Sequence, residues 1–574
     1  MTTVADQMVD SLKRVGVQRI FGIVGDSLNG FTDALRRAGD IDWLHVRHEE
    51  VAAFAAAGDA HTTGDLAVCA GSCGPGNLHL INGLFDAQRS RVPVVAIAAQ
   101  IPSAEIGAGY FQETHPEELF RECSSYCELI FSPSQMPRAV ETAIRRAVSE
   151  RCVAVLVIPG DMFLKEAVHA PRSHPTALVL PRPSVVPPAD AIDRLAALLN
   201  QSERVTLLCG AGVEGAHDEV IALAEALQAP IVHALRGKEH IEWDNPFDVG
   251  MTGLIGFSSG YYAIGACDTL LMLGTDFPYR QFYPAGVRVA QVDIRPENIG
   301  RRVAVEQGLI GDVQSTVASL LPKIARTRGD AHLRVAIGHY RQARASLNEM
   351  AASGSSERLH PQQVVRILSE LASEDAIFTA DVGLPTVWSA RHLRMNGERR
   401  LIGSFWHGSM ANAMPHAIGA QAAHPGRQVI SLSGDGGFTM LMGDLLSLKQ
   451  LGLPVKVVIF NNGSLGFIEL EQKASGFLDF ETGFDDTDFA ALAEAAGIKG
   501  IRIESPADLK QGIAEALAHD GPVVIDAVVE RMELAIPPKI TAEMAKGFTT
   551  YMVKAVLNGR GDEVVELAKA NLLR

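Results

Sequence analysis

The stretch that decides the fold runs from Gln428 to Asn462, QVISLSGDGGFTMLMGDLLSLKQLGLPVKVVIFNN. Two apolar runs within it, 428–433 and 455–461, read as buried strands. The first ends in Gly434-Asp435-Gly436, and 24 residues later the second ends in Asn461-Asn462. In a parallel sheet two such ends lie side by side, about 5–10 Å apart. A carboxylate and a carboxamide placed there offer a hard cation two oxygen ligands and leave room for phosphate oxygens. The glycines let backbone approach a diphosphate. Each motif alone is an ordinary turn sequence; the pair on two strand ends is what points to a site.

Outward from this stretch, the third unit has a further strand at 376–381 and one at 522–529. Earlier in the chain, strands are predicted at 19–24, 43–47, 66–70 and 92–98, with helices from Glu49 and over 77–88 between them. A middle unit has strands at Val205–Cys209, 230–234, Thr269–Leu273 and Arg288–Asp293. Short apolar strands separated by helices mean parallel sheets covered on both faces. The fold class is therefore α/β, three doubly wound parallel-sheet domains, with ligands expected at strand carboxyl ends. Six prolines between Pro171 and Pro188 mark an extended linker. A second boundary is read near 326–330, and 351–356 (AASGSS) as a polar loop. The domains are placed at 1–180, 181–335 and 336–530, with a tail at 531–574.

Composition narrows the function. The 574 residues are 47% hydrophobic and 21% charged, which excludes a disordered, collagenous or coiled-coil chain. A net charge of −16 without a basic stripe argues against nucleic-acid binding. Seven cysteines without finger-like histidines do not suggest a disulfide framework or a zinc site. The first ten residues hold Asp6 and Asp10 and no basic cluster ahead of an apolar run, so an intracellular protein is expected. Residues 66–85 and 403–426 lack Asp, Glu, Lys and Arg, but Gly, Pro, Asn and His interrupt both. They read as buried backbone beside a ligand rather than as membrane spans.

Further constellations fall on these stretches. Arg47-His48-Glu49-Glu50 stands at the junction of a strand and a very apolar helix, so one glutamate is expected to be buried. A buried glutamate can share a proton with a ligand nitrogen. Gly71-Ser-Cys-Gly-Pro-Gly76-Asn77, followed by His79, is a strand-to-helix loop that suits either a phosphate cradle or a tight turn. Gly408-Ser409-Met410 lies on the second uncharged stretch. In the tail, Met544, Phe548, Tyr551, Met552, Ala555 and Val556 share one helical face, and Val564, Val565, Leu567, Ala568 and Leu572 share a second. Interspersed Lys539, Lys546, Lys554, Arg560, Lys569 and Arg574 suit either a docked helix or an interfacial amphipathic one.

Taken together these residues resemble the thiamine diphosphate (ThDP) enzymes related to pyruvate oxidase and acetolactate synthase. GDG-x24-NN matches that family's diphosphate and magnesium motif, and RHE carries its activating glutamate. The resemblance spans residue 1 to about residue 530, in the order pyrimidine-binding, central and diphosphate-binding domain. It implies that Glu49 hydrogen-bonds the cofactor's aminopyrimidine. It further implies that Asp435, Asn462 and the Ser464 carbonyl hold Mg²⁺, and that Met410 is an apolar wedge between the cofactor's rings. Gly408 and Ser409 would line the pyrimidine, Gly436 and Gly437 the diphosphate, and His79, Phe111 and Gln112 the substrate end. Segments such as HALRGKEH and GMTGLIGFSSG look closest to the quinone-reducing, acetate-forming branch, which adds FAD. On that likeness Thr252, Gly253, Leu254, Ile255, Thr275, Asp276, Phe277, Pro278, Tyr279 and Asp293 would contact FAD, and Phe467 would sit on a mobile loop.

The resemblance also implies pyruvate as substrate, ubiquinone as acceptor, a phospholipid surface met by the tail, and a homo-oligomer of tetramer size. It places the protein in the cytoplasm, peripheral on the inner face of the cell membrane. An acetolactate synthase-type carboligase and a phosphate-dependent pyruvate oxidase are the alternatives. A non-catalytic binding module is disfavoured by the joint presence of Glu49, Asp435 and Asn462, and a Rossmann dehydrogenase by the lack of its fingerprint on the first strand. Two departures from the family pattern are Trp406, bulky beside the cofactor, and Glu469, an added charge near the mobile loop.

Overall fold

A computed structural model describes residues 2–168, 173–325, 329–352, 358–534 and 542–572, the side chains of 569 and 572 excepted. Pro171, residues 326–328, 353–357, the Pro537-Pro538 break, Lys539 and Arg574 therefore lie outside the described residues, as do the side chains of Lys569 and Leu572.

Three six-stranded parallel sheets carry the chain. The first holds β1 (Arg19–Gly22), β2 (Asp42–His45), β3 (Ala67–Gly71), β4 (Val94–Gln100), β5 (Tyr126–Leu129) and β6 (Val153–Pro159) in the order β2-β1-β3-β4-β6-β5. The second holds β7 (Val205–Cys209), β8 (Ile231–His233), β9 (Asp248–Met251), β10 (Thr269–Leu273), β11 (Arg288–Asp293) and β12 (Gln307–Ile310) in the order β12-β11-β10-β7-β8-β9. The third holds β13 (Ile377–Ala380), β14 (Arg400–Gly403), β15 (Val429–Gly434), β16 (Lys456–Asn461), β17 (Lys499–Ile503) and β18 (Val523–Val528) in the order β14-β13-β15-β16-β18-β17. The first and third sheets share one topology, with the chain reversing direction between β1 and β3 and between β13 and β15. Central strands are buried on both faces, as β3, β4 and β6 illustrate, and this is why they read as unbroken apolar runs.

The sequence reading omitted β5, β6, β9, β12, β14 and β17. All but β6 are sheet edges. β5, β12 and β17 are only partly buried, which leaves a weak apolar signal, whereas β9 is buried throughout but its run is broken by Asp248 and Gly250. Residues 351 and 352 of the loop expected at 351–356 instead end an unanticipated helix, Ala331–Ala352, which links the second and third sheets, and the remaining four lie outside the described residues.

The two uncharged stretches become β3, its loop and the helix Pro75–Ser90, and the turn leading into the helix Ala413–Ala423. No helix among the described residues is long and apolar enough to cross a membrane. The helices Glu49–Thr63 and Ala413–Ala423 bind the first and third units through interlocked glycines. A Cβ on Gly58 would lie 2.3 Å from the His416 carbonyl oxygen, and one on Gly419 would lie 1.8 Å from that of Ala55. Only a side chain of hydrogen permits that approach.

The tail forms two helices, Ala542–Leu557 and Gly561–Leu572. Tyr551, Ala555, Leu567 and Ala570 pack with Met532 in a small separate core, so the tail is docked. The docking face overlaps the one read in the sequence at Tyr551, Met552, Ala555, Val564 and Leu567, and departs from it elsewhere. Gly547 is buried on it, whereas Val556 is 59% exposed and Val565 52% exposed. The helix lies so close to Ala474 that only position 547 can face it; a Cβ on Gly547 would stand 1.9 Å from the Ala474 oxygen.

Candidate functional site

At the reversal point of the third sheet, β13 and β15 end beside each other and β16 follows β15 in parallel register, Gly434 opposite Phe460. Such a point opens a crevice at the strand carboxyl ends. Here it is a cavity of about 220 Å³ lined by Gly408, Met410, Asp435, Gly436, Gly437, Asn462, Ser464 and Phe467. Most of the site residues read from the third unit therefore converge.

Asp435 is the first residue of the helix Asp435–Leu441, where a carboxylate is favoured by the helix dipole. Its Oδ1 accepts from Gly436 N at 2.7 Å, and its Oδ2 accepts from Asn462 N at 3.1 Å and Gly463 N at 2.7 Å. Burial pushes this carboxyl up to about 6 against those backbone donors, so a divalent cation beside it would restore the ionised form. Asn462 Oδ1 meets Ser464 N only at 3.3 Å, leaving it able to ligate. The donor set is all oxygen, which suits Mg²⁺. Ser409 stands beside this lining and hydrogen-bonds Asn82 of the first unit at 2.9 Å.

Met410 is held by a turn whose next residue, Ala411, sits at φ +67°. That strain is countered by Asp381 at the end of β13, a residue the sequence reading passed over although it closes a predicted strand. Asp381 Oδ1 accepts from the backbone and side-chain nitrogens of Asn412, both at 3.0 Å. Its carboxyl is pushed up to about 7 by burial, against four backbone donors. A Cβ on Gly437 would come within 2.0 Å of Asp381 Oδ2. Gly437 thus leaves room for the clamp as well as for a ligand.

The first-unit residues form a separate cluster. Glu49 is the first residue of the helix Glu49–Thr63, 7% exposed, and its Oε2 pairs with His79 Nδ1 at 2.9 Å. Gly76 makes room for it, since a Cβ there would be 3.0 Å from Glu49 Oε1. Gln112 sits at φ +63° and its Oε1 accepts from Cys73 Sγ at 3.3 Å; Phe111 is 79% exposed. None of Glu49, His79, Phe111 and Gln112 lines the cavity around Asp435. Within one chain the structure does not bring the two halves of the predicted site together.

In the second unit, Thr252–Ile255, Thr275–Tyr279 and Asp293 follow or end β9, β10 and β11, at the carboxyl edge. At this sheet's reversal point Gly274 packs onto Gly212, where a Cβ would meet the Gly212 Cα at 2.4 Å. Gly253 takes φ +101°, and the buried Thr252 hydroxyl has no hydrogen-bond partner among the described residues. A buried hydroxyl left unpaired is an opening for a ligand. Leu254, Pro278 and Tyr279 are exposed and Phe277 is buried beneath them. Asp293 accepts from Arg295 N and Asn298 Nδ2 at 2.9 and 3.1 Å, and burial raises its pKa. Asp276 is taken up by Arg301 and Arg302, which removes its carboxylate from the set of unpaired groups.

Arg391, absent from the sequence reading, ties this segment to the third unit. It donates to the Ile255 and Gly256 carbonyls at 3.0 and 3.4 Å. It lies on Leu384–His392, the helix whose Leu384, Pro385 and Trp388 wall the cavity. Three expectations need correction. Phe467 stands in the first turn of the helix Gly466–Ala474, not on a loop. Glu469 adds no loose charge, because it is buried with Lys473, Arg531 and Ser464 as partners. Trp406 lies under Arg302 and does not line the cavity.

Fold and site geometry define a class of cofactor enzyme, and comparison with known proteins names it. Models of the thiamine pyrophosphate enzymes match in three pieces: the N-terminal TPP binding domain over residues 2–119, the central domain over 192–320 and the C-terminal TPP binding domain over 381–527. A putative thiamine pyrophosphate-containing protein of Bacillus subtilis is 37% identical over 569 residues, 99% of this chain and 98% of the relative. Pyruvate oxidase of Lactiplantibacillus plantarum is 32% identical over 533 residues, 91% and 88% of the two chains. An acetolactate synthase large subunit of Parasynechococcus marenigrum is 33% identical over 554 residues, 93% and 88%. The chain belongs to the ThDP-dependent enzyme family.

Proposed function

We propose that this enzyme oxidises pyruvate and water to acetate, CO2, two protons and two electrons. The electrons pass through FAD to a membrane quinone, ubiquinone, making the protein a quinone-linked pyruvate dehydrogenase. The observation that carries the reading is the cavity at the β13–β15 reversal joined, through the Arg391 helix, to the glycine-rich carboxyl edge of the second sheet. Bound ThDP supplies an electron sink for decarboxylation. Asp435 and Asn462 would hold Mg²⁺ at the diphosphate, and Gly436 and Gly437 would let the phosphates approach backbone. Met410, fixed by Asp381 and Asn412, would shape the space between the cofactor's rings. Leu384, Trp388 and Phe467 would keep water from it.

Glu49, buried beside His79, is the acid placed to hold a proton at a ligand nitrogen. Because it stands apart from the Asp435 cavity, a complete site requires a second copy of the chain, which supports a homo-oligomer; tetramer size is carried by the family resemblance alone. The docked tail, with Val553, Val556 and Leu557 left exposed, supports conditional attachment of a cytoplasmic protein to the inner membrane surface.

Carboligation and phosphate-dependent oxidation use the same cofactor halves, so products decide between them. Purified protein should show flavin absorbance near about 450 nm that bleaches on adding pyruvate anaerobically. Acetate should form without added phosphate once a quinone is supplied. Acetolactate as the main product, or an absolute need for phosphate with acetyl phosphate as product, would overturn the reading.

A further inference from the structure

All three units meet at a second, smaller cavity of about 40 Å³. Its walls include His61, Ser90 and Arg151 from the first unit, Arg236 and Glu239 from the second, and Arg400 from the third. His61 lies in the last turn of the helix that Glu49 begins. Twelve residues at about 1.5 Å each put the cavity roughly 18 Å along that helix from Glu49. None of the residues assigned to ThDP, Mg²⁺ or FAD lines it.

Two of the three arginines here lack a direct ion pair, although the buried Asp86 also acts on Arg236 from behind the wall. Arg400 is satisfied, since Glu239 accepts from its Nε at 2.9 Å and also from Leu401 N. Among the described residues, Arg151 donates only to the Arg91 carbonyl, at 3.1 Å, and Arg236 only to that of Ser90, at 3.0 Å. Neither has a carboxylate partner within ion-pair distance among the described residues. The other acidic wall residue, Glu214, is exposed and faces water. A guanidinium cannot shed its proton to escape burial, and an unpaired partly buried charge is costly. His61 is held neutral, its pKa well below the usual value through burial and the charges of Arg236 and Arg400. It can therefore donate one hydrogen bond without adding charge. The volume suits about three water-sized groups, which is the scale of a tetrahedral oxyanion and too small for a nucleotide.

We propose that this three-domain junction binds a small tetrahedral oxyanion of the phosphate or sulfate type, held by Arg151 and Arg236 with His61 as a neutral donor. The anion takes up the guanidinium N–H groups that no carboxylate meets and so fastens the first unit to the second. The site stands apart from the proposed oxidase chemistry.

The test uses the purified holoenzyme, with inorganic phosphate titrated against chloride at constant ionic strength and melting temperature as the readout. A saturable rise is expected, with half-saturation at least about tenfold weaker in Arg236→Gln. Flavin content, measured by absorbance, should be equal in the two proteins. Crystals soaked in selenate should show an anomalous peak between the Arg151 and Arg236 guanidinium groups, and this arm decides alone if Arg236→Gln does not fold. An identical phosphate response in the variant, or water alone in the cavity of the soaked crystal, would overturn the proposal. So would flavin lost in step with phosphate binding, or the phosphorus of a bound dinucleotide in that position. A wild-type protein without flavin would sink the oxidase reading and leave the anion result standing.

Discussion

Replacing Tyr551 with alanine should undock the tail. Tyr551 is fully buried and is the aromatic centre of a core shared with Met532, Ala555, Leu567 and Ala570, against which Leu478, Leu534, Met552 and Val564 pack. Its ring also lies 5.2 Å from Lys473 Nζ, and its hydroxyl donates to Glu563 at 3.3 Å. Truncating a buried aromatic side chain costs about 3–5 kcal/mol. The lower figure applies here, because the hydroxyl end reaches a half-buried carboxylate. At about 1.4 kcal/mol per decade, 3 kcal/mol raises the undocked fraction roughly 150-fold. Hydrogen exchange of peptides covering residues 542–557 reads this directly, since local opening sets their protection. Exchange in Tyr551→Ala should be about two orders of magnitude faster, confined to the tail and the facing helix Gly466–Ala474. Tyr551→Phe keeps the ring and should stay within a few-fold of wild type. Unchanged protection in the alanine variant would mean that the packing around Tyr551 does not hold the tail, and the reasoning would fail.

Glu49→Gln should lower turnover at least about 100-fold while ThDP and flavin content stay normal; near-normal turnover would exclude a proton-holding role. Gly437→Ala forces a Cβ to 2.0 Å from Asp381 Oδ2, so it should cost about 1–3 kcal/mol and weaken ThDP binding more than tenfold, measured by calorimetry. Arg391→Met removes both bonds to the Ile255–Gly256 carbonyls. It should reduce flavin occupancy more than ThDP occupancy, read by absorbance against a thiochrome assay. Deleting residues 551–574 should abolish liposome binding and lipid stimulation yet leave ferricyanide reduction; retained binding would place the membrane contact elsewhere.

Particular residues mark the limit of what was legible in the sequence. Val205–Cys209, Thr269–Leu273 and Arg288–Asp293 were read with the bounds they have, because central parallel strands are apolar on both faces. β14 and β17 were not, because edge strands such as Arg400–Gly403 and Lys499–Ile503 carry charge and are partly exposed. β6, Val153–Pro159, is fully buried and uniformly apolar, and had the same signal as the strands that were found. In the site, Asp435 and Asn462 were legible because the motif glycines fall on strand ends, whereas Ser464 and Met410 came only with the family resemblance. Asp381 and Arg391 were not, because each acts on a segment about 30 or 135 residues away.

The chain alone determined the repeated strand-and-helix alternation, the α/β class and the Asp435–Asn462 half of the candidate site, since burial of a strand and the residues at its end are local properties. Tertiary structure alone decided that Glu49 stands apart from that half, that Asp381 clamps the Met410 turn, that the tail docks through Gly547 and Tyr551, and that unpaired arginines of the first and second units meet Arg400 of the third. Each depends on side chains brought together from distant segments, and hydrophobic periodicity carries no record of which distant surfaces will meet.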